Sequence, residues 1–234
     1  MPPKTRKTPQ QQRSREMVRR IVDAGQQVLI EHGYDGASTN RIADAAGISP
    51  GSLYQYFPGK DAIVTAVIER YNSEVAALVH SSVLAHLHEP PETAVPATIS
   101  ALLDALGSHP ALLRAVIEQT PRLSGDNTVF AFEQQIGELA RVALTMHRDS
   151  LPHDVDFESA AWMLVRTVEH LAIRYILDRP PVSRDRFLTD ITRLVLNYFR
   201  PPPSPAQTTP TPIHEQNASS HSRTPPRRQQ PHAF

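Results

Sequence analysis

One stretch of the chain decides the fold: Ser38-Thr-Asn-Arg-Ile-Ala-Asp-Ala-Ala-Gly-Ile-Ser-Pro-Gly-Ser-Leu-Tyr-Gln-Tyr-Phe-Pro-Gly-Lys60. A short helix is expected to begin at Ser38 or Thr39, because their hydroxyls accept hydrogen bonds from the free amides of a first turn. Gly47 permits the left-handed turn that ends this helix. Ser49 and Pro50 suit the start of a second short helix. The spacing predicts a helix-turn-helix.

The same stretch separates an inward face from an outward one. Apolar residues fall at helical spacing and are expected to pack inside, as Ile42, Ala43, Ala46, Ile48, Leu53 and Phe57. The second helix is expected to run to Pro58-Gly59. Its short or polar residues remain outside, where they can approach another molecule: Ser49, Gly51, Ser52, Gln55 and Tyr56.

The pattern Thr39-x-x-Ile42-Ala43-x-x-Ala46-Gly47-Ile48-Ser49-x-Gly51-x-Leu53-Tyr54-x-Tyr56-Phe57-x-x-Lys60-Asp61 resembles the signature of the tetracycline-repressor (TetR) family of bacterial regulators. The resemblance is close over residues 15–70. It implies a DNA-binding head followed by a helical domain that binds an effector and forms a homodimer. Two recognition helices of such a dimer would enter successive major grooves of a partly palindromic operator.

The resemblance also implies roles for individual residues. Tyr54 and Lys60 match positions that contact DNA phosphates in the family, and Thr39 matches the family's DNA contact at the start of the preceding helix. The side chain of Gln55 is the best candidate for reading a base, because its amide can pair bidentately with adenine. The complete set expected at the DNA is Thr39, Ser49, Pro50, Gly51, Ser52, Tyr54, Gln55, Tyr56 and Lys60.

The charge distribution agrees with a polyanionic partner at the front of the chain. Residues 1–60 contain nine Lys or Arg and five Asp or Glu, whereas residues 61–200 contain 12 Arg and 18 acidic residues. Residues 1–12 are expected to form a disordered basic arm. Its Lys4, Arg6 and Lys7 either contact DNA or remain solvated, and the sequence leaves both possibilities open.

The fold class is predicted as all-α with about nine helices, because no segment alternates with a period of two residues. Residues 13–60 form the predicted DNA-binding domain and residues 61–200 the effector-binding and dimerisation domain. Gly33 is expected to end the first long helix. The later helices are expected near 60–87, 96–106, 109–120, 127–148, 155–177 and 184–199. Residues 201–234 hold nine of the 22 prolines and are predicted to be a disordered tail.

Enzymatic and membrane functions find little support in the sequence. The chain has no cysteine, no stretch of about 20 apolar residues and no secretory signal, so a cytoplasmic protein without membrane contact is expected. Gly59-Lys60 does not complete a phosphate-binding loop, since its glycine spacing is wrong and Asp61 follows the lysine. The eleven histidines are scattered. No catalytic residue, metal site or cofactor is therefore expected.

The C-terminal domain offers candidates for binding a small hydrophobic effector. Glu169 is predicted to lie among apolar residues of helix 155–177, including Trp162, where a carboxylate must be paired, protonated or beside a cavity. Glu118 is a second candidate for that cavity. A salt bridge from Glu169 to Arg166 or Arg193 at the dimer interface is the alternative.

The predicted function is a DNA-binding repressor that a small molecule releases from its operator. The sequence does not separate this from an activator, or from a regulator whose effector is a protein or is lacking. A further alternative is a helical enzyme or scaffold that keeps the helix-turn-helix only for packing; salt-sensitive DNA binding would distinguish the two.

Overall fold

The computed structural model describes residues 9–123 and 125–199, and within them the chain forms nine α-helices and no strand. The prediction of an all-α fold is confirmed. The helices are α1 (Pro9–Gly36), α2 (Thr39–Ala46), α3 (Pro50–Tyr54), α4 (Lys60–Ala85), α5 (Pro91–Gly107), α6 (Pro110–Leu123), α7 (Gly125–Met146), α8 (Phe157–Asp178) and α9 (Arg184–Tyr198). A short 3₁₀ helix, Arg148–Ser150, lies between α7 and α8.

Helices α1, α2 and α3 form a small head around one apolar core. The side chains of Ile21, Ile42, Leu53 and Ile63 are fully buried there. Helix α1 breaks where Gly33 adopts a positive φ of 65°, a conformation that favours glycine because a β-carbon would be strained. This confirms Gly33 as the residue that interrupts the first long helix.

Helix α4 joins the head to the rest of the molecule, which we call the body and which comprises α5–α9. Its first half contributes Ile63 and Val67 to the core of the head, and its second half buries Val75 and Val79. The helix contacts α1 in the head and α5, α6 and α7 in the body. A movement of the body can therefore reach the head through α4, and also through α6, which contacts α1 directly.

The body is built by α5 packing against α4, α8 and α9, with α7 lying along both α4 and α8. Its buried residues include Leu103 of α5, Leu112 of α6, Ala172 of α8 and Ile191 of α9. The helices leave cavities between them.

The largest differences from the predicted helix boundaries occur in α1, α5 and α3. Helix α1 begins at Pro9, so residues 9–12 are helical rather than part of a disordered arm; proline fits a first helical turn, and glutamine propagates a helix well. Helix α5 begins at Pro91, because proline fits a first helical turn here as well, and it continues through Pro96. Helix α3 ends at Tyr54, several residues before Pro58-Gly59.

The first eight residues of the predicted arm and the predicted tail from residue 201 lie outside the described residues. Over the part of the chain that is described, no helix is long and apolar enough to span a bilayer.

Candidate nucleic-acid interface and helical cavities

Local hydrogen bonds define both short helices of the head. The Ser38 hydroxyl accepts a hydrogen bond from the Arg41 amide at 3.2 Å and caps the start of α2. Gly47 then adopts a left-handed conformation with φ of 62°. The Ser49 hydroxyl accepts a bond from the Ser52 amide at 3.1 Å and starts α3. The predicted helix-turn-helix is thus present, with the predicted caps.

Arg20 holds the turn from the outside. Its Nε donates to the Ala46 carbonyl at 2.5 Å, and its Nη2 donates to the Gly47 carbonyl at 2.8 Å. These carbonyls have no helical partner at the end of α2, and a guanidinium there also complements the helix dipole. Sequence reasoning missed Arg20, because it lies 27 positions before Gly47 and no local pattern connects the two.

Most residues predicted at the DNA lie on the open face of the head. Ser49, Pro50, Gly51 and Gln55 are exposed, and 54% of the Tyr54 surface is accessible. Because α3 ends at Tyr54, Gln55 stands at the C-terminal end of this helix and not inside it.

Tyr56 departs from the predicted outward set. It follows the end of α3 and packs its ring, half-buried, against the core of the head. The prediction assumed that the helix continued through residue 56, and the earlier end of α3 turns this side chain inward. Ser52 is also half-buried, and its hydroxyl lies 2.9 Å from that of Ser49.

Tyr34 forms a charged cluster with residues of α4 and α6. Its hydroxyl donates to Asp61 at 2.6 Å and accepts from Arg122. Lys60 donates to the Tyr34 carbonyl at 3.1 Å, and its ammonium lies 3.8 Å from the ring centroid. The guanidinium of Arg122 is 4.5 Å from the same ring and 3.6 Å from Asp61. Burial and the hydrogen bond to Asp61 raise the pKa of Tyr34, so the hydroxyl stays protonated.

This arrangement, which we call the Tyr34 cluster, joins the head to the body. Tyr34 belongs to the head, Lys60 and Asp61 begin α4, and Arg122 lies on the last turn of α6. Lys60, the predicted phosphate contact, therefore lies within 4 Å of a residue that also contacts the body.

The body contains an apolar cavity of about 240 Å³ between α4, α5, α7, α8 and α9. Its wall includes Val83, Leu102, Leu164 and Phe199. Among the described residues that line it, the polar side chains are His86, Thr98, His147 and Glu169. The Nδ1 of His86 lies 2.8 Å from the Ser82 carbonyl, which can only accept, so Nδ1 carries the hydrogen in this contact.

A second cavity of about 230 Å³ lies between α4, α5, α6 and α8. Leu102 and Glu169 line both cavities, so the two are neighbours in the body. We call the second one the Tyr71 chamber, because Tyr71 of α4 lies in its wall. The chamber is otherwise mostly aliphatic, with Asn72 and Thr120 as further polar residues.

Family models match both parts of this architecture. The model described as "Bacterial regulatory proteins, tetR family" matches residues 21–67, which include the helix-turn-helix. The model described as "Tetracyclin repressor-like, C-terminal domain" matches residues 90–199, the helices of the body. The chain belongs to the TetR family. It is accordingly a DNA-binding transcriptional regulator, as the sequence predicted.

Individual TetR-family proteins align over most of the chain. The HTH-type transcriptional repressor DhaR of Mycobacterium sp. (strain GP1) is 25% identical over 180 residues, which cover 75% of this chain and 90% of DhaR. A putative TetR-family regulator from Mesorhizobium loti MAFF303099 matches in structure with a TM-score of 0.66 and 20% identity, over 80% of this chain and 96% of that one.

A second similar structure contains a ligand. Thermus thermophilus FadR, a TetR-family repressor solved in complex with lauroyl-CoA, has a TM-score of 0.57 and 21% identity, over 80% of this chain and 98% of its own. At these identities the two structures show a shared fold.

The structure separates the three candidate effector residues. Glu169 lines both cavities. Trp162 is 61% exposed, and its ring lies 5.6 Å from the Arg166 guanidinium. It lines a third cavity of about 260 Å³, whose wall shares Ala161 and Val165 with the apolar cavity. Glu118 is exposed and lines neither cavity, because α6 turns Leu112, Leu113, Val116 and Thr120 inward. Trp162 and Glu118 thus line neither the apolar cavity nor the second cavity, in contrast to their predicted place beside Glu169.

Arg193, one of the partners suggested for Glu169, forms an ion pair with Asp190 on its own helix.

Among the described residues, no group of three or more His, Asp or Glu side chains is placed to bind a metal ion.

Proposed function

We propose that this TetR-family protein is a homodimeric repressor that leaves a partly palindromic operator when a small apolar molecule enters the body. The observation that carries the proposal is the apolar cavity beside α4, since α4 also forms part of the core of the head. A ligand that fits this cavity better in one arrangement of the helices shifts the protein toward that arrangement, and with it the separation of the two heads.

The lining of the cavity supports an effector that is largely hydrophobic. Four polar side chains stand among many aliphatic ones, a distribution that favours a small molecule with one or two polar groups. The lauroyl-CoA in Thermus thermophilus FadR shows that a protein of similar fold accepts a ligand with a long alkyl chain. The relative DhaR is named a repressor, which favours repression over activation.

The exposed apolar side chains of α8 and α9 support a homodimer. Trp162 is 61% exposed and Leu194 is 46% exposed, and burying such side chains against a second copy is favourable. Replacing Leu194 with Arg places a charge on this surface, so we expect the dimer to dissociate. Sedimentation velocity at several protein concentrations measures this, and an unchanged dimer would place the interface elsewhere.

The surface of the head supports this assignment of the DNA contacts, since Tyr54 and Gln55 are exposed and Thr39 and Lys60 are half-buried. Tyr54, Thr39 and Lys60 are proposed to hold phosphates, while Gln55 reads a base edge from the end of α3. Selection of bound sites from random duplex DNA tests the operator and the dimer together. A recovered palindrome with half-sites one helical turn apart is the expected result. Recovery of no preferred site would contradict the proposal.

Repression is tested with the selected operator placed before a reporter gene. We expect reporter expression to fall when the protein is supplied, whereas an activator would raise it. Thermal shift against a set of apolar small molecules then finds effectors, and those that raise Tm should also release the operator. A regulator with a protein effector, or with none, would show no such shift.

Glu169 provides a test of where the effector binds. Glu169→Gln keeps the size of the side chain but removes its charge, so we expect the response to an effector to be lost while dimerisation and operator affinity persist. A monomeric variant, or a normal response to the effector, would contradict the assignment of Glu169 to the effector site.

A further inference from the structure

The hydroxyl of Tyr71 is buried without a partner. Tyr71 is 5% exposed, and its hydroxyl oxygen makes no hydrogen bond to any described residue. Burial raises the pKa of this phenol, so it stays protonated and remains a hydrogen-bond donor. An unpaired buried hydroxyl costs stability, and such groups are few in folded proteins. The hydroxyl therefore stands ready for an acceptor that the described protein does not supply.

The walls of the Tyr71 chamber restrict what that acceptor can be. Among the described residues that line the chamber, none is Lys, Arg or His, and the one acidic side chain is Glu169. An anion buried there would find no Lys, Arg or His side chain among these wall residues, and burying an unpaired charge is costly. An uncharged oxygen, as in a ketone, ester or amide, avoids this cost and still accepts a hydrogen bond from the phenol.

The neighbouring apolar cavity can hold the apolar part of such a molecule. Leu102 and Glu169 belong to the walls of both spaces, so a chain lying in the apolar cavity can place one end beside the chamber. We propose that the effector is an uncharged amphiphile whose alkyl or aryl part fills the apolar cavity and whose polar oxygen accepts a hydrogen bond from Tyr71. This inference rests on the proposed effector function and specifies the ligand class and its anchor.

The position of the chamber also connects ligand binding to the head. Helix α6 forms one wall through Leu113, Val116 and Thr120. The Tyr71 oxygen is fully buried, so an acceptor reaches it when a wall of the chamber moves outward. On α6, two residues beyond Thr120, Arg122 contacts Tyr34 and Asp61. A displacement of α6 would thus act on the Tyr34 cluster, which also holds Lys60.

Displacement of a fluorescent probe from the full-length protein tests this proposal. The neutral fluorophore N-phenyl-1-naphthylamine reports on the apolar cavity, and 2-decanone and decanoate compete with it as matched uncharged and anionic chains. Tyr71→Phe removes only the hydroxyl oxygen. Tyr198→Phe removes the same atom from a 42% exposed tyrosine that lines neither cavity, and serves as the control.

We expect 2-decanone to displace the fluorophore from the wild-type protein and to bind about three- to tenfold more weakly to Tyr71→Phe, the effect of one hydrogen bond. Decanoate should compete poorly with both proteins, and Tyr198→Phe should match the wild type. Melting curves confirm that Tyr71→Phe is folded.

The remaining outcomes distinguish a failure of the Tyr71 anchor or of the ligand class from a failure of the proposed effector function. Equal affinity of the wild type and Tyr71→Phe for 2-decanone would overturn the anchor, while leaving the effector cavity in place. Decanoate binding as tightly as 2-decanone would overturn the uncharged class. A wild-type protein that binds neither the fluorophore nor the ketone would overturn the effector function itself, and the inference with it.

Discussion

The hydroxyl oxygens of Thr39 and Tyr54 lie 3.2 Å apart, although the two residues stand on different helices of the head. Thr39 is the first residue of α2 and Tyr54 the last of α3, so the two helices cross with these groups side by side. One hydroxyl donates to the other, and the O–H of the accepting hydroxyl remains free to donate to a phosphate oxygen. The geometry thus pairs two residues that the family resemblance assigned to DNA contact separately.

Tyr54→Phe should weaken binding to all DNA sequences to a similar extent. The change removes one neutral hydrogen bond to a phosphate, which contributes about 0.5–1.5 kcal/mol and carries no base information. Fluorescence anisotropy with the selected operator and with a scrambled duplex measures both affinities. A loss confined to the operator would show that Tyr54 reads bases.

Lys60→Ala should lower affinity and also change its salt dependence. Loss of one cation from the phosphate contacts reduces the slope of log affinity against log salt by about one unit. Arg114→Ala, which removes an exposed arginine on α6 whose guanidinium reaches the Leu177 carbonyl, is a control for charge alone. An unchanged slope for Lys60→Ala would mean that Lys60 stays with Tyr34 in the DNA complex.

Gln55→Ala should alter base preference at one operator position. A lost bidentate contact to a base costs about 1–3 kcal/mol at that position and little elsewhere. Repeating the site selection with the variant measures this directly. Equal losses of affinity for all sequences would show that Gln55 does not read a base. The test is needed because Gln55 lies at the C-terminal end of α3 and not within the helix.

Arg20→Ala should destabilise the head, because two carbonyls at the end of α2 lose their donors. Both contacts are partly open to water, so we expect a loss of about 1 kcal/mol in the free energy of unfolding. Urea denaturation gives this value, with Arg19→Ala as a neighbouring exposed control. If the two variants are equally stable, the Arg20 contacts contribute nothing to the turn.

Tyr71 should make the protein sensitive to alkali. Its folded pKa is raised by burial from the ordinary value of 10.0, so above that pH the unfolded chain loses a proton that the folded chain keeps. Stability is therefore complete below pH about 10 and falls as the pH rises further, by about 1 kcal/mol at pH about 11. Urea denaturation of the wild type should show this loss, and Tyr71→Phe should show less of it. Identical pH profiles would mean that Tyr71 ionises equally in both states.

The sequence alone determined the helix-turn-helix, and the reason is that its signals are local. Ser38, Gly47 and Ser49 each act within a few residues, through a cap or through a backbone conformation. The same local rules located Gly33 as the break in α1. They failed at Tyr56, where the orientation of a side chain depends on where α3 stops against the core.

Only the tertiary structure decided which residues line the cavities. Trp162 and Glu169 lie seven residues apart on α8 and so share one face of the helix, yet Trp162 is exposed and Glu169 lies at both cavities. The spacing fixes the face of a helix, whereas the neighbouring helices decide which part of that face is covered. The partnership of Arg122 with Tyr34 is of the same kind, since 88 positions separate the two residues and packing alone brings them together.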